Sequence, residues 1–343
     1  MNERKSNLEL LRIISMCGII IMHYFGIGGV VQNNVFPHFS WFYTHFLNSF
    51  CIPLVNCFVL ISGYFLITRK IFSLRKPMEL LIITAFYGSI AYIVYLIVGD
   101  GMVSVGGVFK AMFPFIEGKR WFVETYIMLI LFAPFLNKLL CQLNKVHYQT
   151  LLVMQLLIFC VWYSVGFSSP LLDDGYGITN FITLYMLGGY VGLYGKESSM
   201  LCMSKRTYVM IYCVCAITTF VLSYFINPYG YAFITNIVGA ASFFLAFLKW
   251  DIGSSRVINE ISKATFDVYF VHSDAKTSKM LIFELLGGKY VSDRLAMIPH
   301  MFVVIIVIWL MGVISYYIRN KIFHSMINPW LDELIFVSHS EEI

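Results

Sequence analysis

Ten apolar stretches follow one another along this chain, each close to the roughly 20 residues an α-helix needs to cross a hydrocarbon core. They lie near 8–27, 46–67, 78–98, 122–140, 150–167, 178–194, 207–226, 231–248, 258–272 and 297–318. Backbone inside lipid must satisfy its own hydrogen bonds, so such a succession admits helices and excludes open sheets. The chain therefore reads as an all-α polytopic integral membrane protein, a bundle of about ten transmembrane helices. Only 13% of its 343 residues are charged and 59% are hydrophobic, where a soluble domain carries about 25% charged residues. The mean hydropathy is +0.76. No soluble domain, repeat or low-complexity tract stands out. Residues 1–343 read as a single membrane-embedded domain, with a core over about 5–320 and a short tail at 321–343. The ninth run is short. "KTSKMLIFELL" after it reads as an amphipathic piece on the membrane surface, or as the rest of a longer, broken ninth span.

Charge orients the bundle. With the N-terminus inside, the inner segments hold sixteen Lys and Arg and the outer segments seven. By the positive-inside rule both termini are expected in the cytoplasm. The net charge of +5 then needs no nucleic-acid partner. No small-residue cleavage site follows the first span, which is expected to stay in the mature protein. The eight cysteines sit mostly inside spans and form no CxxC pair or metal-ligand spacing. They read as small apolar packing residues, and no metal site is expected.

The first span, "LLRIISMCGIIIMHYF", holds two costly side chains, Arg12 and His23. Eleven residues of α-helix turn about 1100°, within about 20° of three full turns, and rise about 16 Å. Arg12 and His23 therefore share a face, with Ser15 and Ile19 on the stripe between them. Arg12 is expected near the cytoplasmic surface and His23 about two-thirds of the way across. Alone, an arginine there snorkels to headgroups and a histidine packs against a neighbouring helix. Together, at two depths on one stripe, they mark a path through the membrane, because buried ionisable groups are expensive and functional by default.

Other polar groups extend that path. In the second span Asn56 is mid-membrane, with Ser62 and Gly63 nearer the inside. The next loop, "TRKIFSLRKP", clusters Arg69, Lys70, Arg75 and Lys76, a topogenic signal or a holder of phosphates. On the outer side "GKRWFVETYIML" brings Lys119, Arg120, Trp121, Glu124 and Tyr126; Glu124 and Arg120 are one turn apart and able to pair. In "ATFDVYFVHSD" His272 reaches the depth of His23, with Tyr269 one turn below and Asp267 deeper. Two histidines and a glutamate at similar depth are candidates for a general-base site.

These residues resemble a known family. "RIISMCGIIIMH" resembles the Arg-x10-His first span of the acyltransferase-3 membrane proteins, bacterial enzymes that O-acetylate surface polysaccharides. "FVLISGYFL", "RWFVETYIMLILFAPFLN", "LYMLGGYVGLYG" and "ISKATFDVYFVH" are similar, in order, to its second, fourth, sixth and ninth spans, over about residues 5–320. The family's ninth span has Gly where this chain has Asp267, and this chain shows no appended extracytoplasmic domain.

The resemblance implies a donor substrate, acetyl-CoA or another acyl-CoA, rather than a tightly bound cofactor. It implies an acceptor hydroxyl on a cell-surface or lipid-linked glycan, and a bacterial plasma membrane. Polysaccharide-assembly proteins are candidate partners. His23 matches the essential histidine and Arg12 its partner on the donor path. Arg12, Arg69, Arg75 and Ser62 are expected to hold the donor, since the arginine fork suits phosphate. His23 is expected to act as general base or to accept the acyl group transiently, with Glu124 or His272 orienting it. Arg120, Trp121, Tyr126 and Tyr269 are expected around the acceptor. The alternatives are a glycan or lipid transporter or flippase without acyl transfer, and a non-catalytic membrane receptor.

Overall fold

The computed structural model describes residues 5–98, 102–113, 120–166, 173–197 and 202–331; of the expected tail, residues 332–343 lie outside these. The described residues form helices joined by loops and turns, without strands. In chain order the helices of eight residues or more are α1 (Ser6–Phe25), α2 (Phe39–Leu66), α3 (Arg75–Val98), α4 (Val105–Met112), α5 (Trp121–Leu140), α6 (Lys145–Ser164), α7 (Ile178–Tyr194), α8 (Lys205–Leu222), α9 (Ile234–Leu248), α10 (Arg256–Lys263), α11 (Thr265–His272) and α12 (Met297–Ile322). Among the described residues seven helices are long and apolar enough to cross a membrane: α1, α2, α3, α5, α6, α8 and the helix starting at Met297, which continues to Leu331. The runs at 178–194 and 231–248 form the shorter helices α7 and α9. Large apolar side chains stand exposed on the outer helices, among them Ile93, Phe132, Met210, Phe302 and Leu310. Such a surface suits lipid and not water. This is a multi-pass membrane protein.

The ninth run differs from a single span. It breaks at Ala264 into α10 and α11. The Thr265 hydroxyl donates to the Ser262 carbonyl at 2.7 Å and the Ser262 hydroxyl to the Asn259 carbonyl at 3.1 Å. These local bonds occupy carbonyls that a continuous helix would use. The segment after it is also more enclosed than a surface piece: Ser278 and Ile282 are fully buried.

Of the seven long helices, α1 and α2 are the most enclosed by protein. α2 packs closely on α7 through glycines. A Cβ at Gly63 would collide with the Tyr185 carbonyl, and one at Gly188 with the Leu60 carbonyl. Small residues let helix backbones approach where lipid supplies no hydrophobic drive. α1 is pinned at both ends. At its start Asn7 donates to the Phe247 carbonyl at 2.8 Å and Ser6 to Asn259 Oδ1 at 2.9 Å. Near its end the Tyr24 hydroxyl meets the Met297 carbonyl at 3.1 Å and His300 Nδ1 at 2.9 Å. The stripe that carries Arg12 and His23 is thus held at a set depth and rotation.

Candidate active site

Arg12 opens on a basin of about 470 Å³. Its walls come from α1, α2, α3, α5, α10, α11 and α12, and its cations are Arg12, Lys76, Lys263 and Arg319. Each has a carboxylate partner: Glu9 at 2.9 Å from Arg12, Glu79 at 3.0 Å from Lys76, Glu260 at 2.7 Å from Lys263, and Asp267 from Arg319. Arg12 spends only Nη1 on Glu9, reaching both carboxylate oxygens. That leaves an edge of its guanidinium for an anion. Arg12 and Arg319 share this basin, so the start of α1 and the end of α12 lie at one end of the bundle.

Asp267, at the position where the resembling family has Gly, is 1% exposed. Arg319 Nε and Nη2 bind its two oxygens at 2.5 and 3.0 Å. The Tyr87 hydroxyl donates to it at 2.7 Å. A buried acid held this way is compensated, and it ties α11 to α3 and α12.

His23 lines a second, smaller cavity of about 40 Å³, with Met16, Ile19, Met22, Val55, Trp121, Tyr231 and Tyr269. The stripe from Arg12 to His23 therefore runs through Met16 and Ile19. Ser15, expected on it, is fully buried and lines neither cavity. Phe58, Phe122 and Phe266 border both cavities and separate them.

His272 is fully buried beside His23, with ring centroids 5.0 Å apart. Its Nδ1 lies 2.6 Å from the Val268 carbonyl. A carbonyl only accepts, so the proton sits on Nδ1 and Nε2 keeps its lone pair. That Nε2 is buried without a hydrogen-bond partner, as is His23 Nδ1. Two unpartnered ring nitrogens on adjacent imidazoles are a costly arrangement in a packed interior. Tyr269 completes the group, its ring 6.3 Å from each histidine.

The comparison with protein families decides the class. A family model described as an acyltransferase domain, the acyltransferase-3 type, matches residues 5–319. The chain belongs to the acyltransferase-3 family. It is a membrane acyltransferase. No curated protein matches it, and no solved structure does.

Set in this acyltransferase, the other expected residues divide. Ser62 lines the Arg12 basin, its hydroxyl 2.9 Å from that of Tyr126. Tyr126 therefore sits on the Arg12 side of the phenylalanines, away from the acceptor side where it was expected. Arg69 lines an adjoining groove of about 290 Å³, which shares Lys76 and Tyr126 with the basin. Asn137 holds that loop, donating to the carbonyls of Leu66 at 2.7 Å and Arg69 at 2.6 Å. Arg75 is exposed at the start of α3 and borders none of these cavities. Trp121 stacks on Tyr231 at 5.0 Å in the His23 cavity. Asn56, flagged in the second span, holds the Tyr231 carbonyl at 2.9 Å.

Arg120 and Glu124 do not meet as a side-chain pair among the described contacts. The Arg120 backbone N–H donates to Glu124 at 3.3 Å, while its guanidinium donates to the Thr84 carbonyl at 2.8 Å and lies over Phe270. Arg120 is 3% exposed and borders a third cavity of about 230 Å³ with Tyr92, Tyr95, Lys110, Asp274 and Lys276. Glu124 does not line the His23 cavity. Sequence reasoning missed Phe58, Phe122 and Phe266, and it counted Lys263 and Arg319 only among the sixteen inner charges that orient the bundle. Among the described residues no three His, Cys, Asp or Glu converge to hold a metal ion.

Proposed function

We propose that this acyltransferase moves an acetyl group from cytoplasmic acetyl-CoA to a hydroxyl of a cell-surface or lipid-linked polysaccharide, in a bacterial plasma membrane with both chain termini inside. The observation that carries the reading is the pair of adjoining cavities on one face of α1, with Arg12 in the wide one and His23 in the narrow one. The donor's phosphates lie toward Arg12, Lys76 and the Arg69 groove, where cations and arginine forks suit them. Its pantetheine arm points along the stripe, and the thioester meets His23. The acceptor enters from the Trp121 and Arg120 end, where an aromatic face and polar edges suit a sugar.

His23 Nε2 takes the proton of the acceptor hydroxyl as that oxygen attacks the thioester carbonyl. The tetrahedral adduct collapses, the C–S bond breaks, and the thiolate leaves with the proton that His23 carried. The products are the ester and free coenzyme A thiol. In this reading His23 acts through Nε2, and His272, fixed by its bond to the Val268 carbonyl and packed against the His23 ring, serves as a positioning residue.

The test uses acetyl-CoA labelled in the acetyl group, with membrane vesicles and host glycan, comparing wild type with His23→Ala. Label in base-labile glycan esters from the wild type alone supports the reading. Equal labelling by a well-folded His23→Ala protein overturns the general base, and no donor consumption by either returns the transporter.

A further inference from the structure

The basin and the His23 cavity have three wall residues in common, and all are phenylalanines from different helices: Phe58 of α2, Phe122 of α5 and Phe266 of α11. Phe58 and Phe122 meet edge to face, with centroids 6.2 Å apart. On the basin side Tyr126 lies parallel to Phe122 at 6.0 Å and tilted to Phe266 at 6.3 Å. On the far side Tyr269 lies 6.1 Å from Phe122 and 6.4 Å from Phe266. The passage between Arg12 and His23 therefore runs through a collar of rings.

Space beyond the collar is scarce, about 40 Å³ against about 470 Å³ in the basin. With about 10–15 Å³ needed for a single water, that space suits a group as small as acetyl and not a long acyl chain. Among the described residues its wall carries no Lys or Arg. A carboxylate at the end of a succinyl chain would be desolvated there with no cation on the wall, since Arg120 borders a separate cavity, and that is unfavourable.

We propose that Phe58, Phe122 and Phe266 form a steric and electrostatic filter that admits a two-carbon uncharged acyl group to His23 and rejects longer or carboxylated ones. The inference rests on the acyl-CoA reading above and adds the residues that set donor choice. A donor pocket discriminates one methylene by about 10–200-fold, so removing a ring has room to change selectivity by a large factor.

The experiment gives the purified full-length protein matched concentrations of acetyl-, propionyl-, butyryl- and succinyl-CoA, with glycan acceptor, and reads both thiol release and ester formation. Wild type is expected to prefer acetyl over butyryl and succinyl by at least about tenfold, and Phe58→Ala and Phe266→Ala to raise the butyryl-to-acetyl ratio by about tenfold. Phe58→Leu and Phe266→Leu keep most of the packing and serve if the alanine variants fail to fold; a smaller rise in the same ratio is expected from them. Wild type using butyryl-CoA within about threefold of acetyl-CoA overturns the filter and leaves the acyltransferase reading standing. So do folded variants that slow every donor equally. No transfer from any acyl-CoA overturns the acyl-CoA reading, and the filter falls with it.

Discussion

The imidazoles of His23 and His272 lie with centroids 5.0 Å apart, one on α1 and one at the end of α11, and each has a buried nitrogen with no partner. His272 is locked by its bond to the Val268 carbonyl, so only one of its nitrogens is free to act.

Replacing His23 by Ala is expected to lower kcat by about 10²–10⁴-fold, the usual worth of a general base. His272→Gln is expected to cost less, at least about tenfold, with the acyl-CoA KM little changed. Steady-state kinetics separates the two parameters. A His272→Gln enzyme that loses affinity but keeps kcat would remove His272 from the positioning role.

The Asp267–Arg319 pair is closed off from solvent on the Asp267 side. Arg319→Leu leaves that carboxylate uncompensated and is expected to destabilise by about 3–5 kcal/mol. The double variant with Asp267→Asn is expected to recover much of this loss. Thermal unfolding in detergent checks it; a double variant no more stable than Arg319→Leu would show that the pair is not the reason.

Asn137 holds the Arg69 loop through two carbonyls and accepts from Tyr185 at 3.0 Å. Asn137→Ala leaves those carbonyls without their donor, at about 1–3 kcal/mol. The expected result is a raised acyl-CoA KM with a smaller change in kcat. An unchanged KM would place Arg69 outside donor binding.

Gly63 sits where α2 and α7 touch, and an added Cβ would meet a backbone carbonyl that side-chain motion cannot relieve. Gly63→Val is expected to cost at least about 1–3 kcal/mol by overpacking and to reduce the yield of monodisperse protein. Wild-type yield and melting temperature from this variant would mean the two helices separate easily.

What the sequence by itself determined was local. The apolar runs announced membrane helices because lipid leaves no other way to satisfy the backbone. The Arg12–His23 stripe was legible because helical rotation depends on residue spacing alone. Even His272 could be set near His23 by depth. Tertiary structure decided what those residues meet. Tyr126 turned to the Arg12 basin and Glu124 away from the His23 cavity, because a helix's rotation against its neighbours follows from packing and not from its own spacing. Asp267 looked like an anomaly until α12 brought Arg319 to it. Phe58, Phe122 and Phe266 were indistinguishable from any other apolar residue in their runs, since only the convergence of three separate helices makes them a collar. Such contacts join residues far apart in sequence, and they are fixed by close approaches like that of Gly63 to Tyr185, which no periodicity records.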